Sequence, residues 1–520
     1  MWVDVDQFYG IEFEEFPARI AEVAMWLMDH QMNMAVSEAF GQYVARLPLK
    51  KAANIVHGNA LQIEWESVVP KERLSFILGN PPFVGKKEQK AEQKIDMKIV
   101  FAGVDGAGVL DYVTAWYLKA AKYIKGTQII VGFVSTNSIV QGEQTGILWG
   151  LLFQYHKVKI HFAHRTFTWK NEAKNNASVH VAIIGFGGFD IPTKRVFEYG
   201  ELNQEPHELT VKNINPYLVE GKDIFLKGRT MPLCNAPEMI KGSESTDDGH
   251  FLLTDEDINE IREQYPEGVK FIRPLLSGGD FLNNRKRYCL WLKHAKPEEL
   301  KQSSIIQDRI ERVREFRLKS PKDRTRLWAE MPTLFTEDRQ PSEPYLVIPK
   351  VSSLRRKYIP FAYGNPESII NNTASYIQNA SAYHFGILES RMHMAWMETV
   401  CGRTKSDYQY SNKIVYNNFP WPESPTEKQI AAIEAAVKDV FEARALFPDS
   451  SLSDLYDPLT IPPSLSKAHQ TLDKVVDLAY RSQAFITEAK RMEFLFELYE
   501  KYSAGIFSKQ KRKLQLRSKA

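Results

Sequence analysis

Two rhythms of apolar and polar positions alternate along the first 190 residues of this 520-residue chain. Short apolar runs with strand length are "QFYGIE" (7–12), "ANIVHGNAL" (53–61), "LSFILGN" (74–80), "TQIIVGFVSTNS" (127–138), "VKIHFAHR" (158–165) and "VHVAIIGFGG" (179–188). Between them, apolar residues recur at three- and four-residue spacing in "FPARIAEVAMWLMDHQMN" (16–33), "VLDYVTAWYLKAAKYI" (109–124) and the stretch Gln144–Gln154, which predicts helices. Strands separated by helices imply an α/β fold, with a mostly parallel sheet and helices on both faces. The last two strands read as an antiparallel pair closing one edge. From about 191 to 418 strand-like pieces, turns and basic clusters replace the regular alternation. "NNFPWPESPTE" (417–427) is a proline-bearing hinge, and two long helical patterns follow it before the basic tail "SKQKRKLQLRSKA".

Composition narrows this picture only modestly. The length suggests two to four domains. With 43% hydrophobic and 25% charged residues the chain can bury sizeable cores. A formal charge of +3 supplies no global field, so any affinity for nucleic acid must come from local patches. Cys234, Cys289 and Cys401 are widely spaced and odd in number, which fits neither a disulfide framework nor a paired zinc-ligand pattern. The start "MWVDVDQFYG" lacks the basic and apolar regions of a signal peptide, and no apolar run reaches spanning length. A cytoplasmic location is the expectation.

The chemistry concentrates in "LGNPPFVG" (78–85), where Asn80, Pro81, Pro82 and Phe83 directly follow an apolar strand. Ligands of open α/β sheets bind beyond the carboxyl ends of strands. An exocyclic amine of a base is a poor nucleophile, because its lone pair is delocalised into the ring. The Asn80 side-chain oxygen and the Pro81 carbonyl can accept its two hydrogens and localise that pair, while Phe83 stacks on a base removed from the duplex. Two prolines fix the backbone before substrate arrives. The alternative is a plain strand-terminating turn.

Taken together, "QFYGIE", "GNAL", "GNPPFVG", "GVLDYVTAWYLKAA", "GFVSTNSIVQGEQ", "FAHRTFTW", "VHVAIIGF", "FIRPLLSGGDFLNNRKRYCLWL", "YLVIPKVSSLRRKYIP", "RTKSDYQYSNKIVYNNFPWP" and "LYDPLTIPPSLSKAHQTLDKVVDLAY" resemble, in this order, the MmeI-like (type IIG/IIL restriction–modification) adenine-specific DNA methyltransferases. The resemblance covers almost the whole chain. It implies a Rossmann-like class I S-adenosylmethionine-dependent methyltransferase core over 1–190, a mixed α+β target recognition domain over 191–420 and a helical C-terminal region over 421–520. It also implies roles for single residues. Glu12 accepts from the ribose hydroxyls of S-adenosylmethionine, the alternative being a solvated acid. Asn59 lies beside the cofactor adenine, a position where many relatives carry Asp. Ser135, Thr136 and Asn137 line the base pocket. Phe167 and Trp169 offer the second aromatic face, or else belong to the core.

Double-stranded DNA is the implied partner, reached through basic clusters: Arg285, Lys286 and Arg287; Arg355 and Arg356; Arg403 and Lys405. A further cluster, "RVREFRLKSPKDRTR" (312–326), has two readings. It faces DNA, or Glu311, Glu315 and Asp323 pair with Arg314, Lys319 and Arg326 along a helix. "GVDGAG" (103–108) precedes a helix without following a strand and is not read as a phosphate loop. "EPYLVIPK" (343–350) is read as a recognition-domain strand rather than a nuclease arrangement.

Methylation of adenine N6 is the expected activity. The rivals are cytosine methylation, a protein-glutamine methyltransferase, which shares Asn-Pro-Pro-aromatic, and a non-catalytic DNA-binding specificity component. Family members carry an Asp-Pro-x-x-Gly-x-Gly turn and its strand upstream of the Glu12 strand, and none precedes Gln7. The expectation is therefore an N-terminally incomplete core without the nuclease, its missing part supplied by an upstream segment or polypeptide. A break in the sheet between the strands ending at Glu12 and Asn80 should follow.

Overall fold

The computed structural model describes residues 3–41, 52–169, 179–200, 205–404 and 406–517. They form two compact units, Met1–Phe225 and Leu226–Ala520.

The first unit contains strands β1 (Tyr9–Glu12), β2 (Asn54–His57), β3 (Phe76–Gly79), β4 (Ile130–Thr136), β5 (Lys159–Trp169), β6 (Val179–Gly187), β7 (Lys194–Glu198) and β8 (His207–Val211). Its helices are α1 (Glu15–Phe40), the single turn α2 (Trp65–Val68), α3 (Ala91–Val100), α4 (Thr114–Tyr123) and α5 (Gly142–Gln154). A six-stranded sheet runs in the order β3-β4-β6-β5-β7-β8. β3 and β4 are parallel, β6 is antiparallel to both β4 and β5, β7 is parallel to β5, and β8 closes the sheet antiparallel to β7. The pair β5–β6 therefore lies inside the sheet rather than at its edge. The sheet also continues past residue 190, because "KRVFE" and "HELTV" alternate well enough to pair and to place Val196 and Val211 in the core.

Strict alternation along β4 sends Val131, Phe133 and Ser135 to the buried side. There Tyr117 of α4 packs edge-on against Phe133 and Trp149, and stacks on Phe186 of β6 with centroids 5.5 Å apart. Each such aromatic removed from water stabilises the unit by about 2–3 kcal/mol. This core fixes the position of β4, and through β4 that of β3.

β1 and β2 form a parallel ribbon of their own, and among the described residues no ladder joins either of them to β3. β3 is paired on one side only, and Phe76 and Leu78 on it are 64% and 82% exposed. On α1, Phe16, Ile20, Val23, Leu27 and Met34 form an exposed stripe at helical spacing. The glycines of "GVDGAG" at 103 and 106 take positive φ in the connection between α3 and α4.

The second unit is built on small sheets. Tyr345–Pro349 is antiparallel to both Ala362–Gly364 and Ala374–Gln378, and all five of its residues are buried. Leu252–Leu253, Tyr288–Leu290, Ile272–Leu276 and Ile369–Ile370 form a second four-stranded sheet. The hairpin Gly402–Thr404/Asp407–Gln409 pairs with Val351–Ser352. Beyond the proline hinge come helices Glu427–Ala445, Pro463–Tyr480 and Glu488–Arg517, the last two separated by a break at 481–487 that the sequence pattern ran through. Capping by Thr426, which accepts from the Gln429 N–H, starts the first of these helices. No helix among the described residues is long and apolar enough to cross a membrane.

Candidate active site

β3 stops at Gly79 because the following prolines have no N–H to donate to a ladder. Gly79 is in register with Phe133 of β4, so Asn80–Phe83 runs beside the carboxyl end of β4. Asn80 and Pro82 are exposed, Pro81 is buried and Phe83 is half-buried. An amide and a ring thus stand at a stiff corner whose middle residue is pinned. The backbone runs close there, since a Cβ on Gly79 would sit 3.1 Å from the Phe133 ring and the ring would have to give by a few tenths of an ångström.

From this corner the ends of β4, β6 and β5 follow one another across the sheet. Thr136 is in register with Val181, which is in turn in register with Phe167, so all three occupy one edge of the sheet. Thr136 is half-buried and bonds the Ser138 hydroxyl at 2.8 Å. Ser135 is fully buried and bonds Tyr117 Oη at 3.0 Å, which turns it into the core rather than toward the surface. Asn137 is nearly buried. Phe167 is half-buried and stacks on Tyr199, with centroids 4.9 Å apart, and Trp169 is tilted against Phe167. Tyr199 also bonds His164 Nδ1 at 2.8 Å. It completes an aromatic group that the sequence reading missed, since it lies beyond the expected end of the domain.

Glu12 and Asn59 lie at the ends of the paired strands β1 and β2. Glu12 is in register with His57, two residues before Asn59, at the carboxyl ends of two parallel strands. Glu12 Oε1 accepts the Glu14 N–H at 3.2 Å, and the carboxylate is half-exposed. Asn59 is more constrained. Its Oδ1 accepts from the Leu61 N–H and its Nδ2 donates to Asp96 Oδ2 at 3.0 Å. Asp96, which the sequence reading passed over, is buried and also accepts from Gln62 Nε2 and Tyr112 Oη. Burial and Asp96 together push the Tyr112 hydroxyl well above its usual range.

In the second unit the basic candidates differ sharply. Arg285 and Lys286 are exposed, while Arg287 is held 3.4 Å from Asp280. Arg355 is exposed near Asp457, whereas Arg356 donates to the Ser453 hydroxyl at 2.7 Å and is half-buried. Arg403 lies over the Tyr408 ring, 4.3 Å from its centroid, and Lys405 falls outside the described residues. Along Ser304–Leu318 and the turn after it, Arg314, Lys319 and Arg326 pair with Glu311, Glu315 and Asp323, so these charges form a solvated, paired face. Arg317 between them is fully buried. Its five N–H donors reach the carbonyls of Ser245, Thr246, Trp328, Met331 and Leu334, a structural staple inside a run that looks uniformly basic.

A mixed sheet flanked by helices, with Asn-Pro-Pro-Phe at the carboxyl end of a strand, defines the first unit as a methyltransferase-class α/β domain. The family models agree and extend this to the rest of the chain. The MmeI DNA-methyltransferase domain matches residues 1–198, the MmeI target recognition domain 220–423 and the MmeI C-terminal domain 425–507. The chain belongs to the MmeI family. It is similar to the solved type IIL restriction–modification enzyme MmeI in complex with DNA, with 48% identity and a TM-score of 0.89 over 97% of this chain and 67% of that one. It is also 38% identical over 501 residues to DNA methyltransferase A of Bacillus subtilis (strain 168). That match covers 96% of this chain, which spans 56% of the length of the curated relative.

Proposed function

We propose that this chain carries the methyl-transfer and target-reading parts of a site-specific DNA methyltransferase of restriction–modification type. Its reaction is transfer of a methyl group from S-adenosylmethionine to the exocyclic N6 amine of adenine. The observation that carries this reading is the Asn80–Phe83 corner, held on a rigid β4 with its amide exposed.

Asn80 Oδ1 and the Pro81 carbonyl accept the two amine hydrogens, which returns the lone pair to nitrogen and aims it. Phe83 holds the base by stacking, with Phe167 and Trp169 as the opposing aromatic group. S-adenosylmethionine, when bound, supplies an electrophilic methyl on a sulfonium. The half-exposed Glu12 carboxylate at a strand end fits the ribose diol of that cofactor, with Asn59 next to it. Little acid–base chemistry is asked of the chain, and positioning supplies most of the acceleration. Arg285, Lys286, Arg355 and Arg403 are the cations best placed for DNA, with Arg287 and Arg356 partly committed to protein partners. The match of residues 220–423 to a target recognition domain favours DNA over a protein-glutamine substrate.

Methylation-sensitive sequencing of DNA from cells expressing the intact gene tests the reading. N6-methyladenine at one short sequence is the expected result, lost on Asn80→Ala with the fold retained. Methylcytosine instead, or no base modification, overturns it.

A further inference from the structure

The corner that carries the proposed function is weakly anchored by its own strand. Past Gly79 β3 has no ladder, Pro81 and Pro82 cannot donate, and the Val84 N–H donates only locally, to the Pro82 carbonyl. Yet residues 84–86 are tied down from a distance by Asp111 and Tyr112, shortly before α4. The Tyr112 N–H donates to the Val84 carbonyl at 3.0 Å. Asp111 Oδ1 accepts the Lys86 N–H at 3.0 Å. Asp111 Oδ2 accepts from the Ser138 hydroxyl at 2.7 Å and from Gln144 Nε2 at 2.9 Å, while the Asp111 N–H returns to Gln144 Oε1. Ser138 in turn bonds Thr136 at the end of β4.

We propose that Asp111 is a positioning residue that locks the Asn80–Phe83 corner onto the carboxyl end of β4, and so sets the separation of the two walls between which the target base lies. This rests on the functional reading of that corner given above. The chemistry requires a carboxylate. Three donors from three separate segments converge on one side chain, and only a group with two acceptor oxygens and no N–H satisfies all of them. An amide there would turn its N–H₂ either toward the Lys86 N–H or toward Gln144 Nε2, losing an acceptor in both orientations. Tyr112 extends the same tie in the other direction. Its hydroxyl donates to Asp96, which accepts from Asn59, so one crosspiece joins the proposed cofactor end to the base end.

The test compares the full chain with Asp111→Ala, Asp111→Asn and the donor-side variants Ser138→Ala and Gln144→Ala, which keep the proposal open to test if Asp111→Ala does not fold. Hydrogen exchange of the Lys86 amide should accelerate roughly ten- to a hundredfold in Asp111→Ala. A smaller change is expected in Asp111→Asn and in the donor variants, with the interior of β4 unchanged in all of them. Lys86 exchange that stays slow, or acceleration shared equally by β4, overturns the clamp. In protein that methylates DNA, the same variants should lower kcat by about tenfold or more while KM for DNA stays near its original value. An unchanged kcat beside accelerated Lys86 exchange also overturns the positioning role. Failure of the unsubstituted product of the intact gene to methylate DNA counts instead against the functional reading, and the exchange arm, read on these 520 residues, still decides Asp111.

Discussion

Two short apolar strands, "FILG" at 76–79 and "YLVIP" at 345–349, look alike as sequence and behave oppositely in the structure. The second is paired on both sides and buried at every position. The first is paired on one side and leaves Phe76 and Leu78 open to solvent. The difference shows how the chain divides its work. The second unit rests on a buried scaffold, which suits the target reading proposed for it. The Asn80–Phe83 corner sits at the end of a strand paired on one side only, and hydrogen bonds from residues 111 and 112 hold the residues just after it.

The largest expected effect tests the buried strand. Val347→Asp places an unpaired charge in a dry sheet and should cost about 4 kcal/mol or more, read as a lowered urea midpoint for the second unit. A loss below about 1 kcal/mol would mean that strand is far less committed than its burial implies.

Next in size is cofactor affinity. Glu12 and Asn59 stand on a ribbon with no ladder to β3, and two-stranded units are marginal by themselves. Calorimetry on these 520 residues should detect no binding at micromolar S-adenosylmethionine, and clear micromolar binding would show that the ribbon is already held in place.

An intermediate effect concerns acid. His393, fully buried with Nε2 on the Tyr410 hydroxyl at 2.8 Å, is pushed by burial from 6.5 down to about 3. Between those values the unfolded chain binds the proton and the folded one does not, so stability should rise with pH across that window. Thermal melts from pH 4 to 7 check this, and His393→Gln should flatten the slope. An unaltered slope would assign the acid sensitivity elsewhere.

The smallest effect returns to β3. Leu78→Asp should change stability by no more than about 0.5 kcal/mol, because its side chain is already in water. If it destabilises as strongly as Val347→Asp, the contrast between the two strands fails.

Much of this architecture was legible in advance, for a physical reason. Strand and helix periodicities are local, so the runs that became β1 to β6, α1, α4 and α5 could be marked, with bounds that differ by several residues. The Asn-Pro-Pro-Phe corner was equally legible, since prolines end a ladder wherever they fall. Three- and four-residue spacing offered the ion pairs of residues 311–326 as one of two readings, and the structure decided for them. Only the tertiary structure decided what depends on distant partners. It placed β5–β6 inside the sheet and let β7 and β8 extend it past residue 190. It turned Ser135 toward Tyr117, and it drew Arg317 out of a basic run into a cage of carbonyls. It also tied Asp96 of α3 to Asn59, and Asp111, just before α4, to Lys86, Ser138 and Gln144. A side chain's chemistry is written at its position in the sequence, but which of its groups remain free is set by neighbours tens of residues away, and those are fixed only when the chain packs.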